Sequence, residues 1–377
     1  MLFDSDGGRA LKFVLSRTAL IIFGVLLGLT LIEIVLRIKP VPNRFTLIKL
    51  LEKQWEPDED LLLRLKPNLD MRITGHPEFS YTVLTNADGL RDEPFQGAHD
   101  IAAIGDSFTF GFGVEEPHSW PARLESLSRV RVANLGWAGW SSLVYPTTIK
   151  RFAIPLQTRI WIWAFVSNDL PESAGAEAFL NSGEANYLDW IREIQGTTDE
   201  LHFPWSLKTI QFIAALINPE LFLLPNSGDR IYDDGQLRFR YGEYAWKTTD
   251  PSQPEVARGW ELTEVALLEA SQLANINQAT LIVVFVPYRE HVYWPYLQDQ
   301  LGEDKGKQLD LVPARLQSFC EAHDIPYLNL LPGFRERALQ GRMLYFPEDG
   351  HWNSAGHDLA AGLIYDHLTH EGLLPNE

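Results

Sequence analysis

From Asp100 onward, short apolar runs alternate with longer stretches of helical periodicity. Two helices are predicted at 254–276 and 306–323, where apolar residues recur every three to four positions. Five apolar runs are typical of strands, most of them buried on both faces of a sheet; they lie at 101–105, 131–137, 159–166, 279–287 and 325–330. This alternation predicts an α/β domain, with a central parallel sheet between two helical layers.

A different pattern opens the chain. Residues 13–36 are apolar apart from three interruptions, and the stretch 18–32 carries no charge. This length can cross a bilayer core of about 30 Å. No small-residue cleavage site follows, so we predict an uncleaved signal anchor within residues 1–38, with a buried soluble helix as the alternative. Basic residues flank the stretch on both sides, so the charges predict no orientation.

Two further segments depart from the α/β alternation. Residues 39–99 contain six prolines and short alternating runs such as 79–85, which indicates a membrane-proximal segment with a small β element. Within the predicted catalytic domain of 100–377, residues about 170–251 interrupt the alternation. We interpret them as an insertion that caps the core, and it carries Trp190, Trp205 and Trp246.

Composition excludes some classes of function. The net charge of −18 argues against a nucleic-acid partner, whose phosphates would be repelled. The single cysteine, Cys320, rules out an internal disulfide. Cys and His residues do not cluster with the spacing of a zinc site, and we expect neither a metal nor an organic cofactor.

Polar residues follow the predicted strands where each one ends. Ser107, Gly139 and Asn168 follow the first three strands, and Asp349 and His351 precede the last helix. The carboxyl ends of parallel strands share one edge of a sheet, so we expect these residues to meet. Together they could supply a serine nucleophile, a histidine base oriented by a carboxylate, and oxyanion donors from the Ser107 and Gly139 N–H groups and the Asn168 amide. Taken alone, Ser107 could instead be a helix cap.

Four sequence blocks carry a resemblance to a known family. GDSFTFGFG, NLGWAGWSS, FVSNDL and DGHWNSAGH resemble, in order, the Ser, Gly, Asn and His blocks of the SGNH (GDSL) hydrolase superfamily. The resemblance covers about 100–370, with the insertion unmatched. It implies a flavodoxin-like three-layer fold, a Ser107 nucleophile, a His351 base, and an oxyanion hole formed by Ser107, Gly139 and Asn168.

The spacing around His351 departs from the common family pattern. Many members have Asp-x-x-His, whereas here Asp349 stands two residues before His351 and Glu348 stands three before. We assign the acid to Asp349, with Glu348 as the alternative. The DGHW string resembles members that acetylate exopolysaccharides. The resemblance thus implies an O-acyl (acetyl) esterase acting on a carbohydrate, with an O-acetyltransferase of an exported polysaccharide as the alternative and an inert glycan-binding module as a weaker one.

Several residues near these blocks are candidates for substrate contact. Tyr288 and Arg289, with Glu290, follow the fourth strand at the same edge of the sheet. Aromatic faces that could stack on a sugar flank the blocks at Trp137, Trp140 and Trp352. We expect His357 to be structural and to face outward from the last helix. The expected partners are a glycan acyl ester, the membrane and polysaccharide-export machinery, and membrane-bound relatives imply a periplasmic catalytic domain.

Overall fold

The computed structural model describes residues 6–38, 53–74, 76–190, 207–217 and 229–374. The strands within these ranges are β1 (Trp55–Asp58), β2 (Leu62–Leu65), β3 (Asp70–Ile73), β4 (Tyr81–Leu84), β5 (Ile101–Gly105), β6 (Val132–Gly136), β7 (Ile160–Phe165), β8 (Arg230–Asp233), β9 (Arg238–Tyr241), β10 (Thr280–Phe285) and β11 (Tyr327–Asn329).

The helices of the described residues range from one turn to 33 residues. They are α1 (Asp6–Ile38), α2 (Ser107–Phe110), α3 (Trp120–Ser128), α4 (Tyr145–Thr148), α5 (Asp169–Ser182), α6 (Lys208–Ile217), α7 (Tyr244–Lys247), α8 (Pro254–Asn277), α9 (Arg289–Val292), α10 (Trp294–Leu301), α11 (Glu303–Ala322), α12 (Leu331–Leu339) and α13 (Ser354–His370). A 3₁₀ turn, Glu116–His118, precedes α3, and a π-helical turn, Ile149–Ala153, extends α4.

A parallel sheet of five strands forms the centre, in the order β11-β10-β7-β5-β6. The chain passes from β5 to β6 at one edge of the sheet. It later passes from β7 through β10 to β11 at the other edge. Right-handed crossovers in opposite directions place their helices on opposite faces, so α3 and α13 pack together on one face and α5 and α8 on the other. The predicted three-layer α/β/α architecture is confirmed, and each predicted core strand is present within two residues of its expected bounds.

At β6, which ends the sheet, side-chain carboxylates bind the outward-facing N–H groups. Val132 N–H donates to Glu125 Oε2 at 2.7 Å, and Asn134 N–H donates to Asp92 Oδ2 at 2.8 Å. Burial raises the pKa of Asp92 to about 7. These contacts satisfy backbone donors that would otherwise be open to another strand.

The described part of the membrane-proximal segment packs into the same core as the sheet. It forms two antiparallel hairpins, β1–β2 and β3–β4, in place of the single small β element that we expected. The side chains of Leu63, Tyr81 and Val83 are buried in the core cluster that includes the central strands. The segment is therefore packed as part of the catalytic fold.

Arg91 fastens this segment to the helix that follows β5. Its guanidinium is buried and donates to four backbone carbonyls. Nη1 contacts the oxygens of Phe110 and Gly111 at 3.1 and 2.7 Å, and Nη2 contacts those of Thr82 and Val114 at 2.9 and 2.7 Å. One side chain thus joins β4 to the turn that ends α2.

The first helix, α1, is exposed along most of its apolar length. The most apolar 18 residues within Leu15–Ile38 have a mean hydropathy of 2.7, and Leu36 is buried. It is long and apolar enough to cross a membrane, in agreement with the predicted anchor. The insertion is described in part: it contributes α5, α6, the β8–β9 hairpin and α7, whereas Trp205 lies outside the described residues.

Candidate active site

Ser107 lies where β5 ends and α2 begins. The preceding Asp106 caps this helix, because its carboxylate accepts the N–H of Phe108 at 2.9 Å. Ser107 is thus the first residue of the helix and not its cap. The alternative in which Ser107 serves only as a helix cap therefore does not hold. The apolar run ends here because the chain must turn sharply from the sheet into the helix.

His351 bridges Ser107 and Asp349. Its Nε2 lies 2.8 Å from Ser107 Oγ, and its Nδ1 lies 2.5 Å from Asp349 Oδ1. The loop that carries both residues closes on itself, since Phe346 N–H donates to the His351 carbonyl at 2.8 Å. Gly350 turns the chain between acid and base with φ = +96°, a conformation that favours glycine. This is the order of contacts that a nucleophile, base and orienting acid require.

Asp349 and His351 each stabilise the charged form of the other. Burial acts to lower the pKa of His351, but the Asp349 carboxylate and its hydrogen bond outweigh burial, so the pKa is raised. Burial acts to raise the pKa of Asp349, but His351 and its hydrogen bonds hold it below its usual value. The Asp349 carboxylate therefore favours the charged form of His351, as a base that accepts a proton from serine requires.

Glu348, the alternative acid, is engaged elsewhere. Its Oε1 accepts from Arg238 Nη1 at 2.6 Å, and its Oε2 accepts from Arg240 Nε at 2.8 Å. Both oxygens thus face arginines of β9 and not the imidazole. In the structure the two-residue Asp-x-His spacing is the one that brings a carboxylate to Nδ1.

Two side chains clamp the loop that carries the acid. Glu78 Oε2 accepts the backbone N–H groups of Glu348 and Asp349 at 2.9 and 3.1 Å. From the other side, Arg289 Nη1 donates to the carbonyls of Phe346 and Pro347 at 3.0 and 2.8 Å. We expected Arg289 to contact substrate, and it does line the cavity, but its hydrogen bonds support the loop. Glu78 was missed, and its position 271 residues before Asp349 gives no sequence signal.

Asn168 lies at the end of β7, beside the nucleophile. Its Nδ2 donates to Asp106 Oδ2 at 3.3 Å and to Glu172 Oε1 at 3.1 Å, while Tyr288 OH donates to its Oδ1 at 3.1 Å. Tyr288 thus fixes which way the amide points. Both amide hydrogens have a partner, so any further acceptor at this amide would have to displace one of the two carboxyl groups.

Glu172 is the closer of the two carboxyl partners. It stands one turn after Asn168 at the start of α5, and this four-residue spacing could have identified it from the sequence. Burial raises the pKa of Glu172 to about 8, so at neutral pH the group is largely protonated. A neutral acceptor holds a hydrogen bond less strongly than a carboxylate, and therefore competes weakly with an oxyanion.

A cavity of about 410 Å³ opens onto Ser107 and His351. Gly139, the third expected oxyanion donor, lines it with φ = +101°, in the left-handed region. The insertion contributes Tyr244 to the wall, and β1 contributes Trp55. Neither residue stands in the four blocks, so proximity to those motifs could not identify them.

The expectation that three tryptophans stack on sugar is wrong. Trp137, Trp140 and Trp352 are buried in the core. Trp140 donates its indole N–H to the Leu63 carbonyl at 2.8 Å, and Trp352 stacks on Phe334 with ring centroids 5.0 Å apart. The blocks lie at strand ends, and their aromatic neighbours point into the core instead of the cavity.

His357 also differs from expectation. It is buried, not outward-facing, and its Nδ1 accepts the N–H of Trp120 at 3.2 Å. Burial lowers its pKa to about 3, so the ring is neutral and joins α13 to α3.

We expect Asn168→Ala to lower kcat by about 10²–10³, because it removes the side-chain donor to the oxyanion. Steady-state kinetics on a small activated ester measures this, with Glu172→Gln as the matched control that keeps an acceptor beside residue 168. A variant that raises KM and leaves kcat unchanged would instead assign Asn168 to substrate binding.

No protein-family model and no curated protein matches the chain. Solved structures similar to it include a member of the lipolytic protein G-D-S-L family from Veillonella parvula, with 17% identity over 72% of this chain and 99% of that one and a TM-score of 0.38. A GDSL-like lipase from Bacteroides thetaiotaomicron has 12% identity over 72% and 89%, with a TM-score of 0.36. A catalytic mutant of an acetylxylan esterase from Geobacillus stearothermophilus has 12% identity over 73% and 95%, with a TM-score of 0.38.

Proposed function

We propose that this chain is a serine esterase of the SGNH type that removes an O-acyl group, with acetyl on a carbohydrate as its substrate. The observation that carries the proposal is the contact chain from Ser107 Oγ through His351 to Asp349, at the carboxyl edge of a parallel sheet. A serine placed against a histidine with an orienting carboxylate is the arrangement that activates a hydroxyl for acyl transfer.

The reaction follows from these contacts. His351 Nε2 takes the proton of Ser107 Oγ as the oxygen bonds to the ester carbonyl carbon. Asn168 and the backbone N–H groups of Ser107 and Gly139 stabilise the oxyanion. The tetrahedral intermediate expels the alcohol, which takes the proton from His351 and leaves an acyl-Ser107. Water, deprotonated by His351, then releases the carboxylic acid and restores the serine.

The cavity supports a carbohydrate as the alcohol part of the ester. Its lining combines the aromatic rings of Trp55 and Tyr244 with the polar side chains of Arg240, Glu172 and Glu290. Aromatic faces suit the apolar face of a sugar ring, and polar groups suit its hydroxyls.

An O-acetyltransferase is the second candidate. The observation that favours it is the Asp349-Gly350-His351-Trp352 string, whose two-residue spacing supplies the acid–base contact. The two candidates differ only in whether water or a sugar hydroxyl attacks the acyl-enzyme.

Incubation with an activated acetyl ester, with and without oligosaccharide acceptors, tests both candidates. Free acetate alone supports the esterase, and acetylated oligosaccharide supports the transferase. Absence of turnover, together with no labelling of Ser107 by a serine-reactive phosphonate, would contradict both and leave a glycan-binding module.

We further propose that α1 anchors the chain, with the catalytic domain on the periplasmic side. The full-length protein is then expected to sediment with membranes and to retain its N-terminus, because no cleavage site follows the apolar stretch. Membrane fractionation and N-terminal sequencing measure this. Added protease should degrade the catalytic domain in intact spheroplasts; protection from protease would reverse the orientation.

A further inference from the structure

A second apolar helix of the chain meets α1 near its C-terminal end. Glu33 of α1 accepts the backbone N–H groups of Lys208 and Thr209 at 3.1 and 2.8 Å, and the Thr209 hydroxyl at 2.9 Å. These two residues are the first of α6, so the carboxylate satisfies donors that every helix leaves open at its start. The anchor and the insertion are thereby joined by three hydrogen bonds.

The position of Glu33 sets the depth of this contact. It precedes the end of α1 at Ile38 by five residues, which is about 7.5 Å along a helix. The apolar stretch has 24 residues, or about 36 Å, and a bilayer core is about 30 Å thick. On the proposed anchor, the start of α6 lies near the level where the hydrocarbon core meets the headgroups.

The composition of α6 suits that level. Seven of its ten residues, KTIQFIAALI, are apolar, and the side chain of Ile213 is 44% exposed. Ten residues span about 15 Å, which is too short to cross the core but sufficient for a helix that lies in one leaflet.

We propose that α6 is a second membrane contact, which inserts its apolar side chains into the leaflet on the catalytic-domain side and is tethered to the anchor through Glu33. The occupant that we propose beside Ile213 is lipid, because α6 contacts α1, whose apolar side chains are largely exposed. The inference rests on the proposed anchor, and the experiment below separates the two.

The test uses the full-length protein in phosphatidylcholine–phosphatidylglycerol vesicles. Single cysteines at Ile213→Cys in α6, Phe23→Cys in α1 and Ile276→Cys in α8 are labelled with an environment-sensitive fluorophore. Phe23 and Ile276 are 64% and 76% exposed, and the native Cys320 is buried, so the unmutated chain serves as the labelling blank. Vesicles that contain lipids with nitroxide-labelled acyl chains then quench any probe in the hydrocarbon.

We expect quenching at position 213 comparable to that at position 23, and none at position 276. With Glu33→Ala added, quenching at 213 should fall while that at 23 is unchanged, because the tether is lost. Quenching at 23 without quenching at 213 would overturn the second contact and leave the anchor intact. A probe at 213 that is blue-shifted but not quenched would also overturn it, because that spectrum indicates a protein partner in place of lipid. Absence of quenching at 23 would overturn the anchor and the inference with it.

Discussion

Replacing Ser107 with alanine is expected to lower kcat for a small activated acyl ester by about 10⁶, to the background rate. On the proposed mechanism, the hydroxyl that His351 Nε2 contacts at 2.8 Å forms the acyl-enzyme, and alanine removes that oxygen. Steady-state kinetics and mass spectrometry of phosphonate-treated protein measure the loss. The wild-type protein should gain one adduct, and Ser107→Ala none.

Ser142→Ala is the matched control for this variant. Ser142 is buried and follows β6 near Gly139, and its hydroxyl has no hydrogen-bond partner among the described residues. We expect unchanged kinetics and a thermal unfolding midpoint close to that of the wild type. Turnover by Ser107→Ala at the wild-type rate would refute the nucleophile and the proposed function.

Replacing the acid has the second largest expected effect. Asp349→Asn should lower kcat by about 10⁴, because an amide beside Nδ1 favours the wrong imidazole tautomer and does not stabilise the imidazolium. The structure makes this specific to Asp349, whose carboxylate contacts His351 at 2.5 Å. Comparison of kcat/KM with that of Glu348→Gln provides the measurement.

Glu348→Gln changes the neighbouring carboxyl group in the same conservative way. Its side-chain oxygen can still accept from one of the two arginines, so the loop should keep its position. We expect less than about a tenfold loss, the change that corresponds to about 1.4 kcal/mol. A larger loss for Glu348→Gln than for Asp349→Asn would assign the acid to Glu348 and restore the commoner three-residue spacing.

The sequence was most informative where local pattern decides the structure. The strands predicted at 101–105 and 279–287 are apolar runs flanked by turn residues. Strands that are buried on both faces are apolar at nearly every position, so such runs can be identified in the sequence. Ser107 after β5 and Asn168 after β7 lie together as expected, because parallel strands share a carboxyl edge, and the loop before α13 brings His351 to the same cavity.

The residues that support the site could not be predicted, because no local sequence pattern marks them. Glu78 reaches the acid loop, and Tyr244 the cavity, through contacts between segments far apart in the chain. Neither residue type nor spacing marks such contacts. Aromatic residues beside a motif, such as Trp352, were misleading because side chains alternate between core and cavity at the end of a strand.

The packing of the membrane-proximal segment into the catalytic fold limits how far that fold can lie from the proposed anchor. Because the described part of residues 53–99 packs into the catalytic fold, only the 14 residues between Ile38 and Lys53 in the sequence separate α1 from that fold. Fully extended, such a segment spans at most about 50 Å. If α1 is the anchor, the catalytic domain stays within this distance of the bilayer. A glycan is then processed only while it lies in the same layer. Turnover in the cell would then depend on how long each acyl group stays near the membrane as well as on its bulk concentration.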